Sequence, residues 1–122
     1  MTSAARSVLV FGIYLVVIGV LLVLVPNLLL AVVFLPVTSE VWVRIAGMLT
    51  LFLSFFFIQS ARSGLTPFFH WTVYTRTATI FFLVAFVVAG LASPYLIPFG
   101  IIDLAGAIWT GLALRGARVT RV

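Results

Sequence analysis

Residues 8–25 run for eighteen positions without a charged side chain, from just after Arg6 to Pro26-Asn27. A run of ~18 or more apolar residues is long enough, as a helix, to cross the ~30 Å hydrocarbon core of a bilayer. It exceeds the apolar core of a signal peptide, and no small-residue cleavage motif follows it. It therefore reads as a retained first span.

The rest of the chain repeats the pattern between turn signals. Pro26-Asn27, Pro36 with Thr38-Ser39-Glu40, Arg62-Ser63-Gly64 and Ser93-Pro94 divide it. Spans are expected at 7–25, 41–60, 70–91 and 95–114. Residues 28–35 are apolar but too short to cross, which suggests an interfacial helix or a re-entrant cap. Thr66-Pro67 and Ser93-Pro94 each pair a capping hydroxyl with a proline at the first helical position. His70, Trp71 and Tyr74 suit the membrane interface, where amphipathic rings concentrate. Composition agrees: 65% of residues are hydrophobic and 7% charged, against about 45–50% and 25% in a soluble domain. Four spans consume most of the 122 residues. The expected architecture is all-α, a single transmembrane domain over 1–122 forming an antiparallel four-helix bundle.

Orientation follows from the arginines, which supply all seven basic residues. With four spans, Arg6, Arg62, Arg76, Arg115, Arg118 and Arg121 share one side, and Arg44 lies on the other with Glu40 and Asp103. That asymmetry predicts both termini in the cytoplasm, in a bacterial inner membrane. Arg115, Arg118 and Arg121 read as a juxtamembrane anchor for anionic lipid. Hydropathy assigns the net charge of +5 to lipid and orientation, and no nucleic-acid partner is expected.

Polar residues inside the apolar runs fall on stripes at 100° per residue. Ser7 and Tyr14 align on the first span, and Arg44, Gly47, Ser54 and Gln59 on the second. Thr72, Arg76 and Thr79 align on the third, with Asp103, Gly106 and Thr110 on the fourth. Such stripes let membrane helices approach and share hydrogen bonds. They can also line a polar pathway, for which Gln59, Arg76, Thr79 and Thr110 are the candidate contacts. A charge in a span costs about 2.5–3.5 kcal/mol and so asks for a partner. Nominal depths place Arg44 and Asp103 close together from the same side, with Tyr14 as a third member. A buried Arg44–Asp103–Tyr14 network is therefore expected, the alternative being that Arg44 snorkels or pairs with Glu40.

Catalysis is poorly served. There is no cysteine, one histidine and only two acids, too few for an ordinary zinc site or an iron–sulfur cluster. No glycine-rich phosphate loop is present, and His70 and Asp103 fall toward opposite faces. No enzyme activity, metal or cofactor is expected.

The first span lacks the glutamate that small multidrug resistance transporters carry there, and the polar, glycine-rich first span of the fluoride channels. Arg44-Ile-Ala-Gly47, Arg76, Asp103-Leu-Ala-Gly106-Ala-Ile-Trp109 and Leu114-Arg115 give a layout similar to the DoxX-like and related four-span bacterial membrane proteins. The resemblance covers most of the chain and implies the four-span fold, with little about function. The leading expectation is a non-enzymatic accessory subunit, docked to other membrane proteins or to itself. The rival is a binder or transporter of a small lipophilic molecule or anion along the arginine-lined stripe.

Overall fold

The Thr2 hydroxyl accepts the Ala5 N–H at 3.1 Å and so caps the first helix, α1, Ser3–Leu24. The computed structural model describes residues 1–37, 39 and 41–120, with side chains through Gly116. Thr38, Glu40 and Arg121 therefore lie outside the described residues, as does the Arg118 side chain. After α1 come α2, Pro26–Val32, α3, Val41–Ser63, and α4, Thr66–Val88. A single 3₁₀ turn, Pro94–Leu96, then leads into α5, Ile97–Thr120. All of the regular structure among the described residues is helical. Four of the helical segments are long and apolar enough to cross a membrane.

The helix ends differ from those read in the sequence, and glycine chemistry explains the difference. Apolar run lengths end the second span at residue 60, yet α3 continues to Ser63 and stops where Gly64 takes φ +64°. The Leu65 N–H then returns to the Ser60 carbonyl at 3.0 Å, closing a left-handed cap that glycine adopts without cost. Gly90, φ +75°, ends α4 in the same way, with Leu91 N–H on the Phe86 carbonyl at 2.8 Å. Thr66 is not a cap: it lies inside the first turn of α4, and Leu65 precedes the helix. Ser93 does cap, accepting the Tyr95 N–H at 3.3 Å. The short helix expected at 28–35 starts earlier, with Pro26 at its first position, and ends at Val32.

Helix α1 is the hub of the bundle. It packs along α3 and meets α5, while α4 packs along α5. Helices α3 and α4 touch sparingly, with Phe57 and Phe68 edge-on at 5.4 Å near their connecting turn. Glycines set the α1–α3 spacing. Gly12 lies against Phe57 and Ile58, and Gly19 lies against Leu51 and Gly47. The core gathers at one end, where Ala4, Ala5, Val8 and Phe11 pack with Phe57, Ala61, Phe69 and Leu114. The other end, under α2, holds a partly open cavity instead.

Candidate functional site

Arg76 lies ten residues after Thr66, about 15 Å along α4 at 1.5 Å per residue, too far inside to snorkel past the helix start. The fold buries it: only 3% of its surface is accessible. One turn earlier, Thr72 supplies two acceptors, its carbonyl to Nε at 3.3 Å and its hydroxyl to NH2 at 3.0 Å. NH2 also donates to the Thr110 hydroxyl of α5 at 2.8 Å. Thr110 in turn lies 2.6 Å from the Ser7 hydroxyl of α1. The Ser7 proton goes to the Ala4 carbonyl at 2.7 Å, so Thr110 is the donor to Ser7. A single file of hydrogen bonds thus runs from Arg76 through Thr110 and Ser7 to the α1 backbone, tying three helices together. Thr110 and Ser7 are themselves fully buried.

Aromatic faces complete the cradle. The guanidinium carbon sits 4.8 Å from the Phe11 ring centroid and 5.8 Å from that of Phe57, within cation–π range. The remaining nitrogen, NH1, is buried without a hydrogen-bond partner. It points at Gly106 of α5, where a methyl group would come within 3.0 Å of it. One turn from Gly106 stands Asp103, the acid whose field Arg76 shares.

Asp103 is half-buried and faces the cavity together with Tyr14 and Thr79. The cavity measures about 310 Å³ and, apart from these groups and Thr50 of α3, is apolar, with walls drawn from all five helices. Leu29, Leu30 and Val33 close it on the α2 side. Asp103 therefore stands between two environments, the cavity above and the Arg76 cradle below. The Tyr14 ring is held by Phe11, centroid to centroid 5.5 Å, which joins the two layers.

Several sequence-derived candidates converge here: Tyr14, Arg76, Thr79, Asp103 and Thr110 occupy neighbouring positions. Arg44 does not join them. It is exposed and donates to the Val23 carbonyl in the last turn of α1. The reason is local. Val23 lies in the last turn of α1, where the carbonyls run out of helical partners, and a helix C-terminus attracts cations. The expected Arg44–Asp103 pair is thus replaced by the proximity of Asp103 to Arg76. Gln59 is exposed on α3 and stays apart. Arg115 is exposed and lines a shallow cleft with His70 and Tyr74. Arg76 also ceases to count in the charge asymmetry expected from the sequence, which then rests on Arg6, Arg62, Arg115, Arg118 and Arg121. The sequence reading missed Phe11 and Phe57 as the guanidinium's platform. Only the mid-helix position of Arg76 hinted that rings would have to cover it.

Thr110 carries a direct test. Thr110→Val keeps the side chain's shape but removes both hydrogen bonds of the hydroxyl, and should cost about 1–3 kcal/mol of unfolding free energy. Thr110→Ser should retain most of the stability. Equal losses in the two would place the effect in packing and remove the hydrogen-bonded file from the account.

Compared with family models, curated proteins and solved structures, the chain matches none of them.

Proposed function

We propose that this chain is a multi-pass protein of the bacterial inner membrane that holds a small lipophilic molecule in the cavity beneath α2. The observation that carries the reading is the cavity itself: about 310 Å³, apolar walls, and one polar end at Asp103, Thr79 and Tyr14. Ligand sites are of this kind, mostly apolar with a few convergent polar groups. Its volume falls at the small end of their range, roughly 300–1,000 Å³. A purely architectural subunit has no need of such a space. No covalent chemistry is assigned to it.

The membrane reading rests on four helical segments of 22 or 23 residues. At 1.5 Å per residue each reaches about 33 Å, enough for a hydrocarbon core of ~30 Å. An antiparallel bundle is supported by the glycine contacts, since early α1 (Gly12) meets late α3 (Phe57) and late α1 (Gly19) meets early α3 (Gly47). The arginines still favour cytoplasmic termini after Arg76 is set aside. Reporter fusions within 62–64 and after residue 116 should be cytoplasmic, and a fusion within 36–39 should be exported. Mixed topology would break the charge argument.

A second reading, an accessory subunit or homo-oligomer, is favoured by the sparse contact between α3 and α4, which leaves room for another helix. Extraction separates the two readings. Protein purified from native membranes should release a lipophile on solvent extraction, close to one per chain by mass spectrometry. Leu83→Trp, which fills the cavity, should release far less. Equal yields from both proteins would assign the lipophile to the outer surface and favour the subunit reading.

A further inference from the structure

The polar end of the cavity specifies what kind of molecule fits, provided the cavity is a binding site as proposed above. Four side chains with polar atoms reach it: Tyr14, Thr50, Thr79 and Asp103. Two of them have already committed their protons. The Thr50 hydroxyl donates to the Ala46 carbonyl at 2.8 Å, and the single Thr79 proton is shared between the Thr75 carbonyl at 3.1 Å and Asp103, whose two oxygens keep further lone pairs. What remains for an occupant is an acceptor, the Asp103 carboxylate, and a hydroxyl that can donate, that of Tyr14.

Charge narrows the choice further. Asp103 and Arg76 together carry no net charge, and the guanidinium behind the carboxylate is buried. A bound carboxylate would meet Asp103 head-on and give it no proton to accept. An ammonium would leave the site with an uncompensated charge in an apolar space, which is expensive, and would offer Tyr14 no acceptor. An alkane would satisfy neither group. A neutral alcohol answers both, since one hydroxyl donates once and accepts up to twice. Size suits a medium-chain body: a partly open space of about 310 Å³ has room for something on the order of ten heavy atoms.

We propose that the cavity is a site for a neutral alcohol of about nine carbons, its hydroxyl donating to Asp103 and accepting from Tyr14, its apolar body lying under α2.

The test uses the full chain in lipid nanodiscs with four probes of one length: 1-nonanol, nonane, nonanoate and nonylamine. Affinities are read by saturable shifts in thermal unfolding and by native mass spectrometry. The expected result is nonanol binding at least tenfold more tightly than the other three. Tyr14→Phe, which keeps the ring on Phe11, should weaken nonanol by about threefold to tenfold and leave nonane unchanged. Leu83→Trp should abolish binding of every probe. Four similar affinities, all lost in Leu83→Trp, would keep the cavity as a binding site and overturn the alcohol. Tightest binding of nonanoate or nonylamine would overturn it too, replacing it with a charged head. Absence of saturable binding, or binding that Leu83→Trp leaves intact, would overturn the cavity reading and the alcohol together.

Discussion

Asp103→Asn should cost about 1–3 kcal/mol of unfolding free energy, because it removes an acid whose field reaches the buried Arg76 although the two form no contact ion pair among the described residues. The charge left behind is that of Arg76, which is 3% exposed, stacked on Phe11 and Phe57, and hydrogen-bonded only to neutral groups. Those groups satisfy its Nε and NH2 but cannot neutralise it, and NH1 has no partner at all. Arg76→Met preserves much of the side chain's volume. It strands no threonine, because Thr72 still donates to the Phe69 carbonyl at 2.9 Å and Thr110 still has Ser7. Arg76→Met with Asp103→Asn should therefore lose less than the sum of the single changes, by about 1 kcal/mol or more.

Arg44 supplies the control. It is exposed and bonded to the Val23 carbonyl, so Arg44→Gln should combine with Asp103→Asn additively, within about 0.5 kcal/mol. Both cycles can be followed by denaturant titration in mild micelles. Additivity in the Arg76 cycle would separate Arg76 from Asp103. Coupling in the Arg44 cycle would restore the pair that depth along the spans alone suggests.

The contrast between these two arginines shows what the sequence could and could not disclose. Helical periodicity placed Ser7, Thr72, Arg76, Asp103 and Thr110 on inward stripes, and three helices bring those stripes together. Periodicity is a property of one helix, and it survives folding. Pairing across helices depends also on where each helix ends and how it is turned toward its neighbour. Depth along two spans brought Arg44 level with Asp103. It could not show that the α1–α2 break would leave a carbonyl at Val23 for Arg44 to take. The cavity was illegible for a similar reason. Its apolar lining looks in sequence like any lipid-facing surface, and it takes shape only where α2 folds back beside Leu15, Ile18 and Leu22. Helix ends were off by a few residues because hydropathy marks where apolar side chains stop, whereas Gly64 and Gly90 mark where the backbone turns.

Gly47→Val should be among the most damaging single changes in the chain, costing about 3 kcal/mol or preventing stable folding. Here α1 and α3 approach through backbone: a methyl group on Gly47 would lie 2.7 Å from Leu22 Cβ and 3.0 Å from the Gly19 carbonyl oxygen. Neither atom can rotate away, so the helices must separate and lose the close packing that small residues allow. Gly19 faces a softer neighbour. A methyl there would lie 2.7 and 2.8 Å from Leu51 Cγ and Cδ2, and 3.1 Å from the Gly47 carbonyl oxygen. Its two shortest contacts are with a side chain. Gly19→Ala should therefore be partly rescued by Leu51→Ala, whereas Gly47→Ala should not be rescued by Val23→Ala, which removes only the Cγ2 contact at 3.0 Å. Thermal unfolding of the four variants gives the comparison. Equal rescue at both positions would mean that side chains, and not the two backbones, set the distance between α1 and α3.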